Sequence, residues 1–234
     1  MKILSIGNSF SQDPHAHLHE LAAQNGLDIY AVNLYISACS LRTHAVCLAN
    51  GSDAYELEIN GASTGQKISI AAALAMEDWD VITLQQVSHL TGIPSSYFPH
   101  FGQLYHAVKA ACPKAQIWFQ HTWAYAADSN HPLYKLYNRD QQTMLRRAEA
   151  CKDMVVRIWN TPVIPTGDVI QRLRPIIGEE RLHRDTFHLS FDYGRLAAAA
   201  VWIKTLTGQN LIKQPYRDFD QSLTDAIFDE VNKL

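Results

Sequence analysis

Short apolar runs alternate along the chain with longer segments of helical periodicity, and this alternation is the strongest constraint on the fold. The runs are rich in β-branched and aromatic residues, which is typical of strands buried on both faces. Strands that alternate with helices imply a parallel sheet covered by helices on both sides. We therefore predict a three-layer α/β/α sandwich with a five-stranded parallel sheet in the order 2-1-3-4-5. The predicted strands cover residues 2–6, 28–34, 80–86, 115–123 and 161–167.

Two local patterns refine this prediction. Pro14 suits the first turn of a helix, so we expect a helix over 14–24 with Ser11 or Asp13 as its N-cap. The stretch "YELEINGASTGQKISI" alternates apolar and polar residues around Asn60-Gly61, which predicts a small β-hairpin insertion within 53–70. No repeat or linker divides the chain, so residues 1–234 are predicted to form a single domain.

Composition excludes several classes of partner. Of the 234 residues, 47% are hydrophobic and 18% charged, and the net charge is −3 without a basic block. We expect a globular core, no nucleic-acid partner and no membrane partner. The sequence does not decide whether the protein forms a homo-oligomer. No leader-like segment precedes the first run, so a cytoplasmic location is expected, although a trimmed leader would leave the same sequence. The four widely spaced cysteines favour free thiols: Cys39, Cys47, Cys112 and Cys151.

The first run ends in Gly7-Asn8-Ser9-Phe10-Ser11, which places a serine where a parallel strand leaves the sheet. Active sites of such sheets lie beyond the carboxyl ends of the strands. A helix N-terminus after Ser9 would give its hydroxyl a positive local field. The alternative is that Ser9 only caps or turns the chain.

Asp185 and His188, three residues apart, precede the last predicted helix. This spacing lets the carboxylate accept a hydrogen bond from the imidazole, whose other nitrogen can then take a proton from a serine. The alternative is a surface pair that caps the helix.

Four segments in order resemble the SGNH (GDSL-like) hydrolases, and more closely an uncharacterised SGNH-type subgroup. They read "ILSIGNSFS", "ITLQQVSH", "PTGD" and "DTFHLSFDYG", and they span residue 3 to about 200. The resemblance implies the flavodoxin-like SGNH fold, a serine hydrolase activity and no cofactor. Carried over, it implies Ser9 as the nucleophile, His188 as the general base and Asp185 as the residue that orients His188.

The resemblance also implies an oxyanion hole with three donors. The first is the backbone N–H of Ser9. The second is a glycine N–H after strand two, where this chain has Ala38, and alanine resists positive φ. The third is an asparagine after strand three, which is absent here. Gln86 is our expected substitute, with Gln85 and His89 as alternatives.

Other polar residues at strand exits are candidates for substrate binding. His89, His121 and Asp168 follow predicted strands, and Trp123 could stack on a sugar or belong to the core. Asn8 occupies the position at which the family usually has an aspartate. Two roles stay open for its amide, which either contacts the substrate or fixes the turn.

A competing metal site comes from "HAHLH", which holds His15, His17 and His19 near Asp13. On a helix His15 and His19 share a face while His17 points away, so we favour no metal. A histidine near the helix start could instead line the mouth of the Ser9 pocket.

The sequence thus favours a serine esterase that removes short acyl groups, with acetyl on a carbohydrate suggested by the resemblance. A non-catalytic carbohydrate-binding protein on the same fold is the alternative, motivated by the missing glycine and asparagine. A metal-dependent phosphoesterase built on His15, His17 and His19 is a weaker one.

Overall fold

A seven-stranded sheet forms the centre of the protein, whose computed structural model describes residues 1–234. Five strands, in the order β2-β1-β5-β6-β7, run parallel as predicted. The sheet has seven strands rather than five because the predicted hairpin, β3 and β4, pairs antiparallel with β2 and extends the edge. The strands are β1 Lys2–Gly7, β2 Tyr30–Tyr35, β3 Tyr55–Ile59, β4 Ala62–Ile68, β5 Val81–Leu84, β6 Gln116–Gln120 and β7 Val163–Ile164.

Nine α-helices cover the two faces of the sheet, so the predicted three-layer α/β class is confirmed. One face packs against α1, α6, α8 and α9, and the other against α2, α3, α4 and the second half of α5. No helix is both long and apolar enough to cross a membrane. The helices are α1 Ser9–Gln24, α2 Leu41–Asn50, α3 Ile70–Leu74, α4 His100–Ala111, α5 Gln141–Trp159, α6 Thr166–Ile177, α7 Glu179–Leu182, α8 Tyr193–Thr207 and α9 Gln221–Val231.

Helix α1 begins at Ser9, five residues before the predicted start, with Asn8 rather than Ser11 or Asp13 as its N-cap. A proline in a helix removes the hydrogen bond to the carbonyl four residues earlier. Here that carbonyl is Phe10 O, and the Gln120 side chain of β6 donates to it from 2.9 Å. The sheet therefore supplies the donor that Pro14 lacks, and the helix continues through it.

A buried polar chain connects the hairpin to the start of α1. The Glu58 carboxylate on β3 accepts hydrogen bonds from the Gln12 amide and from Asn33 Nδ2, the latter at 2.8 Å. Asn33 Oδ1 in turn accepts from the Ser11 hydroxyl at 2.6 Å, and Ser11 Oγ accepts from the Asn8 N–H at 3.1 Å. Burial raises the pKa of Glu58 although both amides oppose the shift. The hairpin is thus tied to the turn that carries Ser9.

Three buried histidines make the stability of this fold sensitive to acid. Burial lowers the pKa values of His15, His44 and His183 to about 3, and the charge of Arg174 also lowers that of His183. Below the unfolded-state pKa of about 6.5, these histidines bind protons in the unfolded chain but not in the folded chain. The free energy of unfolding therefore decreases as the pH is lowered. Each histidine contributes about 1.4 kcal/mol per pH unit until its folded pKa is reached.

We therefore expect urea midpoints to fall between pH 6.5 and pH 4, with a smaller slope for His183→Leu. Neither ring nitrogen of His183 has a hydrogen-bond partner, so this variant removes a titrating group without leaving a donor unpaired. The exposed His106 supplies the control, and His106→Leu should keep the wild-type slope. Equal slopes for wild type and His183→Leu would contradict the expectation.

Candidate active site

The turn between β1 and α1 presents Ser9 at the carboxyl edge of the sheet. Gly7 is required there because a Cβ on it would lie 2.1 Å from Ser11 Oγ. Asn8 caps the helix by accepting from the Phe10 N–H at 2.9 Å. Ser9 follows as the first helical residue, so its N–H has no partner within α1. Its hydroxyl is partly exposed, whereas its neighbours Asn8 and Phe10 are buried.

Ser9, His188 and Asp185 form a continuous hydrogen-bonded series. Ser9 Oγ lies 2.8 Å from His188 Nε2, and His188 Nδ1 lies 2.7 Å from Asp185 Oδ2. Asp185 Oδ1 also accepts from the backbone N–H of His188 at 2.8 Å. Burial alone would raise the pKa of Asp185, but the hydrogen bonds from the His188 ring and backbone hold it below its usual value. The carboxylate is therefore ionised at neutral pH and keeps the proton of His188 on Nδ1.

The loop that carries His188 is fixed against α1 by residues that sequence reasoning did not assign to this role. The buried Asp13 carboxylate accepts from Arg195 Nε at 2.8 Å and from Arg184 Nη1 and the Leu189 N–H, each at 3.0 Å. Trp123 Nε1 donates to Phe187 O at 2.8 Å. The sequence suggested Asp13 only as an N-cap or as a member of a metal site, because its partners lie more than 170 residues away in the chain.

Ala38 occupies the position predicted for the second oxyanion donor, and it adopts the positive φ that a glycine would, at 52°. Its N–H donates to no protein acceptor. Asn8 Nδ2 donates to the carbonyl of the next residue, Cys39, at 2.9 Å, which holds this loop beside the Ser9 turn. The N–H groups of Ser9 and Ala38 thus both have no acceptor in the protein.

Gln86, the expected third donor, is occupied elsewhere. Its Nε2 donates to Ser96 O at 3.0 Å and to Ser96 Oγ at 2.9 Å, and its Oε1 accepts from the Leu41 and Val87 N–H groups. Gln85, one residue earlier, points to the Ser9 turn instead, because successive side chains face opposite sides of an extended chain. Its Nε2 donates one of its two N–H groups to Asn8 Oδ1 at 2.8 Å. The structure therefore corrects the assignment of Gln86 as an oxyanion donor.

Three of the substrate-binding candidates have their polar atoms directed into the protein. Asn8 is 1% exposed, and both ends of its amide are hydrogen-bonded within the protein, to Phe10, Cys39 and Gln85. Trp123 is fully buried and stacks on Phe10 with ring centroids 4.3 Å apart. The buried His121 lies with Nδ1 3.2 Å from Asp168. These positions correct the expectation of substrate contact and assign these residues to support of the site.

Asp168 and His89 complete the set of candidates. Asp168 is partly exposed and pairs with Lys152 at 3.2 Å. Burial alone would raise its pKa, but His121 and Lys152 hold it below its usual value. His89 is half-buried, and its ring stacks on that of His131 with centroids 6.0 Å apart. Of the five candidates, His89 is the one that is partly exposed and has ring nitrogens without a hydrogen-bond partner in the protein.

The histidines of "HAHLH" diverge to separate partners. His15 Nε2 lies 2.8 Å from Ser5 Oγ, and His17 contacts the Tyr216 hydroxyl and Phe191 O, each at 2.9 Å. His19 Nδ1 lies 2.7 Å from Ile29 O. No group of three or more His, Cys, Asp or Glu side chains is arranged to hold a metal ion.

A separate cavity lies at the opposite edge of the sheet from Ser9. Its volume is about 1120 Å³, and Trp79, Asp80, Cys112 and Trp118 are among its lining residues. These residues are at the amino ends of β5 and β6 or in the preceding loops. The cavity is therefore separate from the Ser9 site.

Comparison with known proteins identifies the family of this chain. The family model described as a domain of unknown function, DUF4886, matches residues 2–227. A crystal structure of a DUF4886 family protein from Bacteroides uniformis is 32% identical, with a TM-score of 0.94, over 100% of this chain and 93% of that one. Comparison with curated protein sequences gives no significant match.

More distant solved structures share the fold. A protein from Slackia heliotrinireducens, described as a candidate SGNH hydrolase, is 23% identical with a TM-score of 0.63 over 88% of this chain and 98% of that one. The acetylxylan esterase Axe2 from Geobacillus stearothermophilus is 13% identical with a TM-score of 0.58 over 91% of this chain and 97% of that one. The chain therefore belongs to the DUF4886 family, and its fold is that of the SGNH hydrolases.

Proposed function

We propose that the protein is a serine esterase that hydrolyses short acyl esters through a covalent acyl-enzyme. The observation that carries this proposal is the series Ser9–His188–Asp185, with separations of 2.8 and 2.7 Å. A serine hydroxyl is a weak nucleophile until an oriented base removes its proton. His188 is within hydrogen-bond reach of that proton, and ionised Asp185 orients the ring and stabilises its protonated form.

In the first half-reaction Ser9 Oγ attacks the ester carbonyl carbon while its proton passes to His188 Nε2. The tetrahedral oxyanion is held by the N–H groups of Ser9 and Ala38. The intermediate collapses by breaking the bond to the alkoxy oxygen, and His188 delivers its proton to the departing alcohol. Water, deprotonated by His188, then attacks the acyl-Ser9 carbonyl, and the acid leaves as the proton returns to Ser9.

Acetyl esters of carbohydrates are the substrates we favour. The fold is shared with an acetylxylan esterase, and the site needs no metal or organic cofactor for acyl transfer.

Covalent labelling with a fluorophosphonate tests the proposal. Ser9 Oγ should displace fluoride from phosphorus, with its proton taken by His188, and leave one label on Ser9. Ser9→Ala should abolish labelling. Ser95→Ala, at an exposed serine without a side-chain hydrogen bond, should label as wild type does. Wild-type protein that is folded but labels no better than Ser9→Ala would refute the esterase proposal.

A non-catalytic carbohydrate-binding protein is the second candidate. It is favoured because Gln86, the expected third oxyanion donor, gives both of its amide N–H groups to Ser96. Each such donor is typically worth about 2.7–4 kcal/mol in the transition state. The labelling experiment separates the two candidates, because a binding protein has no reason to activate Ser9.

A further inference from the structure

Two imidazole rings stack on each other where the loops after β5 and β6 meet. The ring centroids of His89 and His131 are 6.0 Å apart, and the rings are inclined by 20°. His89 lies in a short 3-10 helix, Ser88–Leu90, and His131 lies in the loop that follows β6. The hydroxyls of Ser88 and Tyr125, 2.8 Å apart, hold these two loops together. The pair is therefore part of the carboxyl edge of the sheet, where Ser9 also lies.

The pair is in contact with the loop that carries the catalytic base. The His131 ring packs edge-on against Phe187, with centroids 4.9 Å apart. The Phe187 ring lies 4.2 Å from the His188 ring. The Tyr125 ring also packs against His131, with centroids 4.9 Å apart, and lies 5.5 Å from the Phe187 ring. The pair is thus connected to the His188 ring through Phe187.

Both rings have hydrogen-bonding atoms that the protein does not use. His131 Nδ1 accepts from the Leu133 N–H at 3.2 Å, so its proton is on Nε2, which has no protein acceptor. Neither ring nitrogen of His89 has a partner in the protein. Both residues are only half-buried, so a bound molecule can reach these atoms.

The rings are also held in the uncharged state. Burial lowers the pKa of His89, and the neighbouring His131 lowers it further. Burial likewise lowers the pKa of His131, with a further contribution from His188. An uncharged imidazole offers one donor and one acceptor but no ion pair. Such a site matches hydroxyl groups better than carboxylates or phosphates.

We propose that His89 and His131 form the leaving-group subsite and select esters whose alcohol carries further hydroxyl groups, such as acetylated sugars. The inference rests on the proposed esterase function and specifies the substrate of the same site. The ring nitrogens bind neighbouring hydroxyls of the alcohol, while the faces of the aromatic side chains pack against its C–H groups. His89 and His131 bind the alcohol and do not take part in proton transfer.

The test compares two substrates in the same enzyme preparation. One is an O-acetylated methyl glycoside, and the other is p-nitrophenyl acetate, whose alcohol has no hydroxyl for the pair to bind. The ratio of their kcat/KM values does not depend on the fraction of folded enzyme. His131→Asn keeps an acceptor for the Leu133 N–H while it removes the Nε2 donor. His89→Phe keeps the stacked ring while it removes both nitrogens.

Each variant is expected to lower the ratio of glycoside to p-nitrophenyl acetate kcat/KM about tenfold, which corresponds to about 1.4 kcal/mol. His106→Asn, at an exposed position on α4, should leave the ratio unchanged. An unchanged ratio in both subsite variants of an active esterase would overturn the subsite alone. Hydrolysis of neither substrate above the Ser9→Ala background would instead overturn the proposed function, so the two failures are distinguishable.

Discussion

His188→Gln is expected to lower kcat for acetyl ester hydrolysis by about 10⁶-fold, the scale seen when a triad base is removed. Glutamine cannot accept the Ser9 proton, so the hydroxyl that lies 2.8 Å from His188 Nε2 would stay a weak nucleophile. The measurement is steady-state hydrolysis of p-nitrophenyl acetate. His106→Gln is the matched control, because His106 is exposed on α4 and distant in sequence from the site.

Asp185→Asn is expected to lower kcat by about 10⁴-fold. An asparagine amide in this position would present a donor to His188 Nδ1 and favour the tautomer whose proton faces Ser9. The double variant should be little worse than His188→Gln, because residues of one catalytic unit are strongly non-additive. A His188→Gln enzyme that retains activity within tenfold of wild type would contradict the assignment of the base.

The second large effect is on stability and concerns Asp13. Asp13→Ala is expected to lower the free energy of unfolding by about 3–5 kcal/mol, because breaking a buried ion pair leaves its partners uncompensated. The carboxylate is fully buried and bonds Arg184, Arg195 and the Leu189 N–H. Urea denaturation at neutral pH measures the change. Asp53→Ala, at an exposed carboxylate without a hydrogen-bond partner, supplies the control.

Activity should fall together with stability in Asp13→Ala, because Leu189 directly follows the base. The expected signature is a lower kcat in protein that is still folded, measured well below its unfolding midpoint. A loss of less than about 1 kcal/mol would mean that the two arginines find other partners and that Asp13 is not what holds this loop.

The fold was predictable because the alternation of buried strands and amphipathic helices is a local property of the sequence. The parallel strand order and the residues of the Ser9–His188–Asp185 series could be predicted because the four segments that resemble the SGNH hydrolases occur in the same order along this chain. The start of α1 was not predictable, since the donor that compensates for Pro14 comes from Gln120, which lies 110 residues away in the chain.

The choice between Gln85 and Gln86 as an oxyanion donor also depends on contacts between residues that are distant in the chain. Both amides follow a buried strand, and the resemblance gave no reason to prefer the residue that faces Asn8. The side that each amide faces depends on the register of β5 against β1, in which Leu84 lies opposite Ile6. Such a register is set by tertiary packing and cannot be derived from a single strand.

The buried link from Glu58 to the Ser9 turn has a consequence for how this family can diversify. A descendant that lost the hairpin would lose the carboxylate that accepts from the Gln12 and Asn33 amides, whereas the Ser11 hydroxyl would keep Asn33 Oδ1 and Asn8 O as acceptors. Residues 12 and 33 are therefore the ones expected to change when the hairpin is lost. Relatives that lack Glu58 should differ at positions 12 and 33 together.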